Sequence, residues 1–254
     1  ISSVEPHYFA GYTGGRKSFL PGIASYKTIE QNHRYAMRNE AQPLVLEGNP
    51  VNEDMEDAIK TIKDKEIFSI LAVLDRHQNI YAATAGHIYD SFHAAIEKAN
   101  EVFAVKVEKK ADIVVSVAPF PMDIDLYQSQ KAIENGKIAL KDGGIIILVS
   151  KCRDGIGDMT FFNLLASSSN AKEVLDTIDK GYKLGYHKAA RIVEASLKGE
   201  IWAVTDLEDR IIKKAFMKPY PSIQEAVDAA ISQKGPNTKV LFLMEGSVTV
   251  PLIQ

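Results

Sequence analysis

The chain lacks several features that would have settled its class at once. It has a single cysteine, Cys152, in 254 residues. That excludes an internal disulfide framework and fits a reducing compartment, so the expected location is the cytoplasm. No apolar run approaches the roughly 18 residues of a membrane span. The longest, residues 144–149, has the length of a buried strand. Neither sign of charge dominates: 30 Lys and Arg face 33 Asp and Glu, a net charge of -3. Without a basic stripe, neither a nucleic-acid partner nor a membrane partner is expected. Walker A and dinucleotide-binding glycine fingerprints are absent, as are standard zinc and EF-hand spacings. No signal-peptide pattern opens the chain. It starts at Ile1 without a methionine, so the expectation is a part of a longer protein whose amino-terminal portion is missing.

What is present is an α/β pattern. Short β-branched runs read as strands over residues 68–74, 80–84, 103–107, 113–117, 145–149, 201–204 and 240–244. Helical periodicity falls between them, over residues 26–39, 52–63, 88–101, 126–140, 161–165, 171–184, 188–197 and 222–232. In the third of these, Tyr89, Phe92, Ala95 and Ile96 share a face. The alternation implies α/β architecture: largely parallel sheet flanked by helices on both faces, with ligands beyond the carboxyl ends of the strands.

Chemistry-bearing residue types cluster in three places. The first is Glu5-Pro6-His7-Tyr8-Phe9-Ala10-Gly11-Tyr12-Thr13-Gly14-Gly15-Arg16-Lys17, followed by Gln31-Asn32-His33. Glycines let backbone approach a ligand closely, lysine supplies a charge or a nucleophile, and histidine ligates metals or moves protons. Taken alone, the Gly14–Lys17 segment reads more readily as a surface turn with two solvated charges, and the histidines equally as structural. The second is Tyr127-Gln128-Ser129-Gln130-Lys131, which opens a helix directly after a strand. Asp125 is placed to cap that helix, and the first-turn amides favour an anion. Lys131 either pairs with a carboxylate ligand or is a solvated lysine. The third is Gly185-Tyr186-His187-Lys188 before an apolar helix, where His187 either lines a site or faces solvent. Cys152 is expected to be a small half-buried residue rather than a nucleophile. His77, His87 and His93 read as structural, and residues 154–158 as a loop.

Read in order, these segments resemble the nickel-pincer lactate racemase family, whose members interconvert stereoisomers of 2-hydroxy acids. His7 stands ten residues before Lys17 and twenty-six before His33. The Gly14-Gly15-Arg16-Lys17 turn is followed by Pro21-Gly22, and the Tyr127–Lys131 block falls at the corresponding later position.

The resemblance implies a cofactor, nickel pyridinium-3,5-bisthiocarboxylic acid mononucleotide. It implies a thioamide to Lys17, with Gly14, Gly15 and Arg16 in the cofactor loop, and His33 as the nickel ligand, a donor that suits Ni(II). His7 and Lys131 take catalytic roles, and Tyr127, Gln128, Ser129 and His187 contact a small-molecule 2-hydroxy acid. Residues 1–40 are then the end of a catalytic and cofactor-loop segment, and residues 41–254 a carboxyl-terminal α/β domain, with a further break allowed near residue 110.

Two departures accompany the resemblance. The second acid–base histidine and the Asp/Arg loop for the cofactor phosphate belong to the family's amino-terminal domain. Their absence from these residues implies a chain that carries no cofactor and is inactive alone. Lactate enzymes of the family carry a tryptophan near the position of Tyr186 and His187, whereas the one tryptophan here is Trp202. That points to a larger or dianionic 2-hydroxy acid. Two other readings remain: a non-catalytic domain that binds a nucleotide or organic acid, and a Schiff-base enzyme using Lys17.

Overall fold

A computed structural model describes all the residues, Ile1–Gln254, as two compact units, Ile1–Ala104 and Val105–Gln254. In the first unit, three two-residue strands, β1 (Ser2–Ser3), β2 (Pro6–His7) and β3 (Gly11–Tyr12), precede α1 (Tyr26–Arg34) and α2 (Pro50–Lys60). Then come β4 (Phe68–Leu74), β5 (Ile80–His87) and α3 (Ile88–Phe103). β4 and β5 form an antiparallel hairpin, and β1 joins β4 in parallel. The hairpin turns at Asp75, whose carboxylate accepts the amide N–H groups of His77 and Asn79. This antiparallel pair departs locally from the parallel pattern expected.

α3 packs on β4 and β5 through Ile88, Ser91, Phe92, Ala95 and Ala99. Tyr89 and Ile96, placed on that face from sequence, lie half-buried at its flanks. Ser91 takes the place of an apolar residue because its hydroxyl is satisfied by the His87 carbonyl at 2.8 Å. α2 starts two residues earlier than the periodicity indicates. Asn49 caps it by accepting from Val51 and Asn52, with Pro50 at the first helical position. α1 gives way after Arg34 to a 3-10 turn at Tyr35–Met37, short of the expected residue 39. Tyr8, Phe9, Leu20, Val51 and Met55 form the core between these two helices and the β2–β3 hairpin.

The second unit opens at β6 (Ala104–Val107) and continues with β7 (Ala111–Val117), α4 (Leu126–Gly136), β8 (Leu140–Val149), α5 (Met159–Leu165) and α6 (Ala171–Asp179). α7 (Tyr186–Lys198), β9 (Glu200–Val204), α8 (Asp209–Lys214), β10 (Lys218–Pro219), α9 (Ile223–Lys234), β11 (Val240–Leu243) and β12 (Val250–Ile253) complete it. Five strands make one fully parallel sheet in the order β10-β9-β8-β7-β11. Ile113, Val115, Ile145, Ile147 and Trp202 face Ala226 and Ala230 of α9. α4 and α7 cover the other face. There Ser116 Oγ donates to the Ala132 carbonyl at 2.7 Å, and a Cβ at Gly136 would meet Ile146 at 2.6 Å. With both faces covered, the strands read as continuous apolar runs rather than alternating ones.

The units divide at residue 104, close to the break allowed near 110 and not at 40. The reason is α2: Asn49 and Asn52 bind the backbone and side chains of residues 9–16, so residues 41–104 pack with the first 40. No helix is long and apolar enough to cross a membrane.

Candidate active-site residues

In the first unit, the β2–β3 hairpin pairs His7 with Gly11 and turns through Tyr8-Phe9-Ala10. The buried Phe9 ring at its tip lies 4.5 Å from the His7 ring and 5.2 Å from the His33 ring, edge-on to both. Two histidines separated by 26 residues therefore meet on one aromatic side chain, His7 from a hairpin and His33 from the last turn of α1. The rings of both are half-buried. His7 Nδ1 accepts the Ala10 amide N–H at 3.3 Å, so the neutral ring carries its proton on Nε2. Lys17, also half-buried, sits in the 3-10 turn Gly15–Ser18.

The glycines before Lys17 are required by packing and backbone conformation. Both have positive φ, and a Cβ at Gly14 would lie 2.6 Å from the Ser3 carbonyl oxygen. Arg16 departs from both sequence readings of a solvated or cofactor-facing charge. It is 2% exposed. Its Nη2 donates to the Ala10 carbonyl at 2.8 Å, its Nε donates to Asn52 Oδ1, and its guanidinium lies 4.4 Å from the Phe92 ring centroid. Burial pulls its pKa down to about 10, opposed by Glu56. It is still a cation at neutral pH.

In the second unit, the loops that follow β7 and β8 build the start of α4. Asp125 caps it as expected, accepting the Gln128 amide at 2.6 Å. The Leu126 and Tyr127 amides donate to the carbonyls of Gly155 and Ile156, each at 3.1 Å. Gly157, at φ 84°, lets this loop close on Asp125: a Cβ there would lie 2.7 Å from its carboxylate. The anion site expected at these amides is therefore corrected. They are occupied by the 150s loop, and the side chains of Gln128 and Lys131 are half-buried. Lys131 Nζ lies 3.7 Å from Met122 Sδ.

Ser129 is fully buried, and its hydroxyl donates to the Asp125 carbonyl at 2.7 Å and lies 2.6 Å from Ser150 Oγ. It holds the helix start and does not face a ligand. Tyr127 is half-buried; burial, with Asp158 and Asp125 nearby, pushes its phenol up to about 12, so it stays neutral. Cys152, buried after β8 at φ 52°, has its thiol pKa raised by burial and is a packing residue as expected.

The family model described as the lactate racemase C-terminal domain matches residues 105–250, and the lactate racemase N-terminal domain model matches residues 1–44. The chain belongs to the lactate racemase family. Two curated relatives, both named lactate racemase, come from Thermoanaerobacterium thermosaccharolyticum and Lactiplantibacillus plantarum. They are 35% and 32% identical over 96% of this chain. The chain spans 58% of the length of each. The solved lactate racemase apoprotein from T. thermosaccharolyticum superposes with a TM-score of 0.93 at 32% identity, over 99% of this chain and 62% of that one. A Thermotoga maritima protein at 13% identity and TM-score 0.72 shares the fold, over 99% of this chain and 65% of that one. Because the amino-terminal family model lies on residues 1–44, part of the domain that the sequence reading counted as absent is in this chain.

In this lactate racemase family member, sequence reasoning missed the charges buried between α4 and α7. His187 is 1% exposed, and its Nδ1 shares a 2.7 Å hydrogen bond with the Tyr182 hydroxyl, so it does not face solvent as a helix-start histidine would. Lys188 is buried too. Its ammonium donates to the Tyr127 carbonyl at 2.6 Å and lies 4.1 Å from the centroid of the same ring. Glu134 pairs with Arg191 at 3.0 Å and Lys137 at 2.7 Å. One signal was available: positions 130, 134, 188 and 191 place charged or amide groups on otherwise apolar helix faces. Trp202 is buried against Tyr220 at 4.6 Å in the sheet, and so belongs to the core.

Proposed function

We propose that the whole protein is a racemase or epimerase of 2-hydroxy acids that works by reversible hydride transfer with a nickel-pincer nucleotide. The observation that carries this reading is the meeting of His7 and His33 on the Phe9 ring, with Lys17 on the turn that Arg16 ties to the same hairpin. The donor chemistry fits the cofactor. Lys17 offers a half-buried amine for a thioamide, and His33 offers one imidazole. No group of three or more His, Cys, Asp or Glu is present. His33 would supply an imidazole donor to the nickel ion, a donor type that suits Ni(II), and Lys17 the covalent link to the cofactor.

The chemistry supplied by the bound group is reversible acceptance of the substrate's Cα hydride. The remaining steps belong to side chains. Lys131 and Gln128 are proposed to hold the substrate carboxylate and the oxygen that becomes the keto group. His7 is proposed to move the hydroxyl proton. Its resting tautomer carries the proton on Nε2, so that nitrogen cannot take the hydroxyl proton as it stands, and the imidazolium formed on proton uptake is the form that returns a proton to the keto oxygen. Acting as base at Nε2 requires that the ring first shift its proton to Nδ1 and release the Ala10 amide. Loss of hydride and hydroxyl proton gives a planar 2-keto acid, and return of hydride to the opposite face inverts the centre.

The test is a panel of single enantiomers, comprising lactate, malate and sugar-derived 2-hydroxy acids, incubated with cofactor-loaded protein and followed by chiral chromatography. Interconversion of a 2-hydroxy acid that stops when nickel is withheld supports the proposal. Nickel-independent turnover points to the Lys17 Schiff-base reading. Turnover of lactate alone removes the inference of a larger or dianionic substrate drawn from the missing tryptophan.

A further inference from the structure

His7, Lys17 and His33 come from three separate segments, yet each lies within two residues of one gripped by the start of α2. Asn49, fully buried, donates from Nδ2 to the Phe9 carbonyl at 2.9 Å, two residues from His7. Asn52, 2% exposed, accepts from Nε of Arg16, the neighbour of Lys17. Asn32, the neighbour of His33, donates from Nδ2 to the Val51 carbonyl at 3.2 Å and to Asp54 at 2.8 Å. Arg16 closes the set. Its Nη2 holds the carbonyl of Ala10, whose own amide is the donor to His7 Nδ1. One guanidinium thus links the loop of Lys17 to the hairpin of His7, and α2 holds both.

Stability alone gives a weak reason for an arginine here. A buried cation is expensive to desolvate, and well-packed apolar replacements of buried charges are often neutral or stabilising. The nearest carboxylate acts at one remove: Asn52 Nδ2 donates to Glu56 Oε1 at 2.8 Å. Nη1 of Arg16 is buried with no hydrogen-bond partner. What the arginine provides and a hydrophobic residue would not is a rigid fork whose donors point in fixed directions at Ala10 and Asn52.

We propose that Arg16 and Asn52 are positioning residues that fix the Lys17 turn against the His7 ring. Neither touches substrate or cofactor. The claim rests on the roles assigned above to Lys17 and His7, but it has a readout of its own in the cofactor-free chain.

The test combines two measurements on Arg16→Met, Asn52→Leu and the double variant Asn52→Asp/Glu56→Gln. The first is the ring nitrogen spectrum of His7 in cofactor-free protein. The parent is expected to show a single Nε2-protonated tautomer, and Arg16→Met and Asn52→Leu an averaged pair, with the folded spectrum otherwise retained. The second is the fraction of chains carrying the mass increment on the Lys17 peptide after expression with the cofactor-making enzymes. Arg16→Met and Asn52→Leu should load at least tenfold less than the parent. Asn52→Asp, made together with Glu56→Gln so that the new carboxylate meets a donor in place of Glu56 Oε1, keeps an acceptor for Arg16 Nε and should restore loading. An unchanged His7 spectrum in Arg16→Met overturns the proposal, as does equal loading of Asn52→Leu and the double variant. If Arg16→Met does not fold, the two Asn52 variants decide. If the parent itself never loads, the functional reading fails while the His7 spectrum still judges the positioning claim.

Discussion

Lys17 and His33 carry different halves of the proposed cofactor chemistry, and single substitutions separate them. Lys17→Ala should remove the mass increment and lower racemisation by more than a thousandfold. Its folded spectrum should be retained, which circular dichroism checks. His33→Ala should lose nickel and activity while keeping the increment on Lys17, which mass spectrometry and metal analysis read independently. At the start of α4, Asp125→Ala should cost about 1 kcal/mol through the lost cap, lowering the melting temperature by roughly 2–4 °C. The resemblance alone singled out His7, Lys17 and His33 as candidates, whereas the cap at Asp125 followed from local chemistry. The inward turn of Arg16 was not, since its acceptor, Asn52, lies 36 residues further on. The same holds for Ser129, whose partner Ser150 is 21 residues away on another strand end.

α4 and α7 are joined by a buried ion pair, and its removal has a direction in pH. Burial opposes ionisation of Glu134, but Lys137 and Arg191 outweigh it and hold the carboxyl below the usual glutamate range. A group with a depressed folded pKa stabilises the fold above its unfolded value, about 4.3 for glutamate, and this stabilisation is lost as pH falls through the folded value. Glu194 runs the other way, its pKa raised chiefly by burial, so its contribution falls as pH rises through the raised value. Glu134→Gln should therefore flatten the acid limb of a plot of melting temperature against pH below about 4.3. Arg191→Ala at pH 7 should cost on the order of 3–5 kcal/mol, because the Glu134 charge stays buried with one partner fewer. Element existence was readable wherever periodicity was strong, as for β4, β8 and α3. Boundaries were set by caps. Asn49-Pro50 starts α2 before its periodicity begins, and 3-10 turns end α1 and α4 early. Short strands such as β10, and the six-residue α8, offer too few residues for a period to register.

At the scale of the molecule, the second unit has a complete five-stranded parallel sheet and its own two-faced core, and the C-terminal family model covers nearly all of it. Residues 105–254 expressed alone should therefore unfold in one cooperative transition by circular dichroism. A gradual, non-cooperative loss of signal would show that this unit depends on the rest of the chain. The α/β class and the parallel sheet followed from alternation of apolar runs and helical periods. The membership of residues 41–104 did not, because it depends on asparagines of α2 reaching back to residues 9–16. The central claim is that the first unit holds a nickel-pincer nucleotide through Lys17 and His33. The most direct test is nickel content together with intact mass, on protein made in cells that synthesise the cofactor. Stoichiometric nickel and a mass increment that maps to the peptide containing Lys17 are expected. Neither signal, with cofactor demonstrably available, would contradict that claim and leave a binding domain that keeps the family's fold without its chemistry.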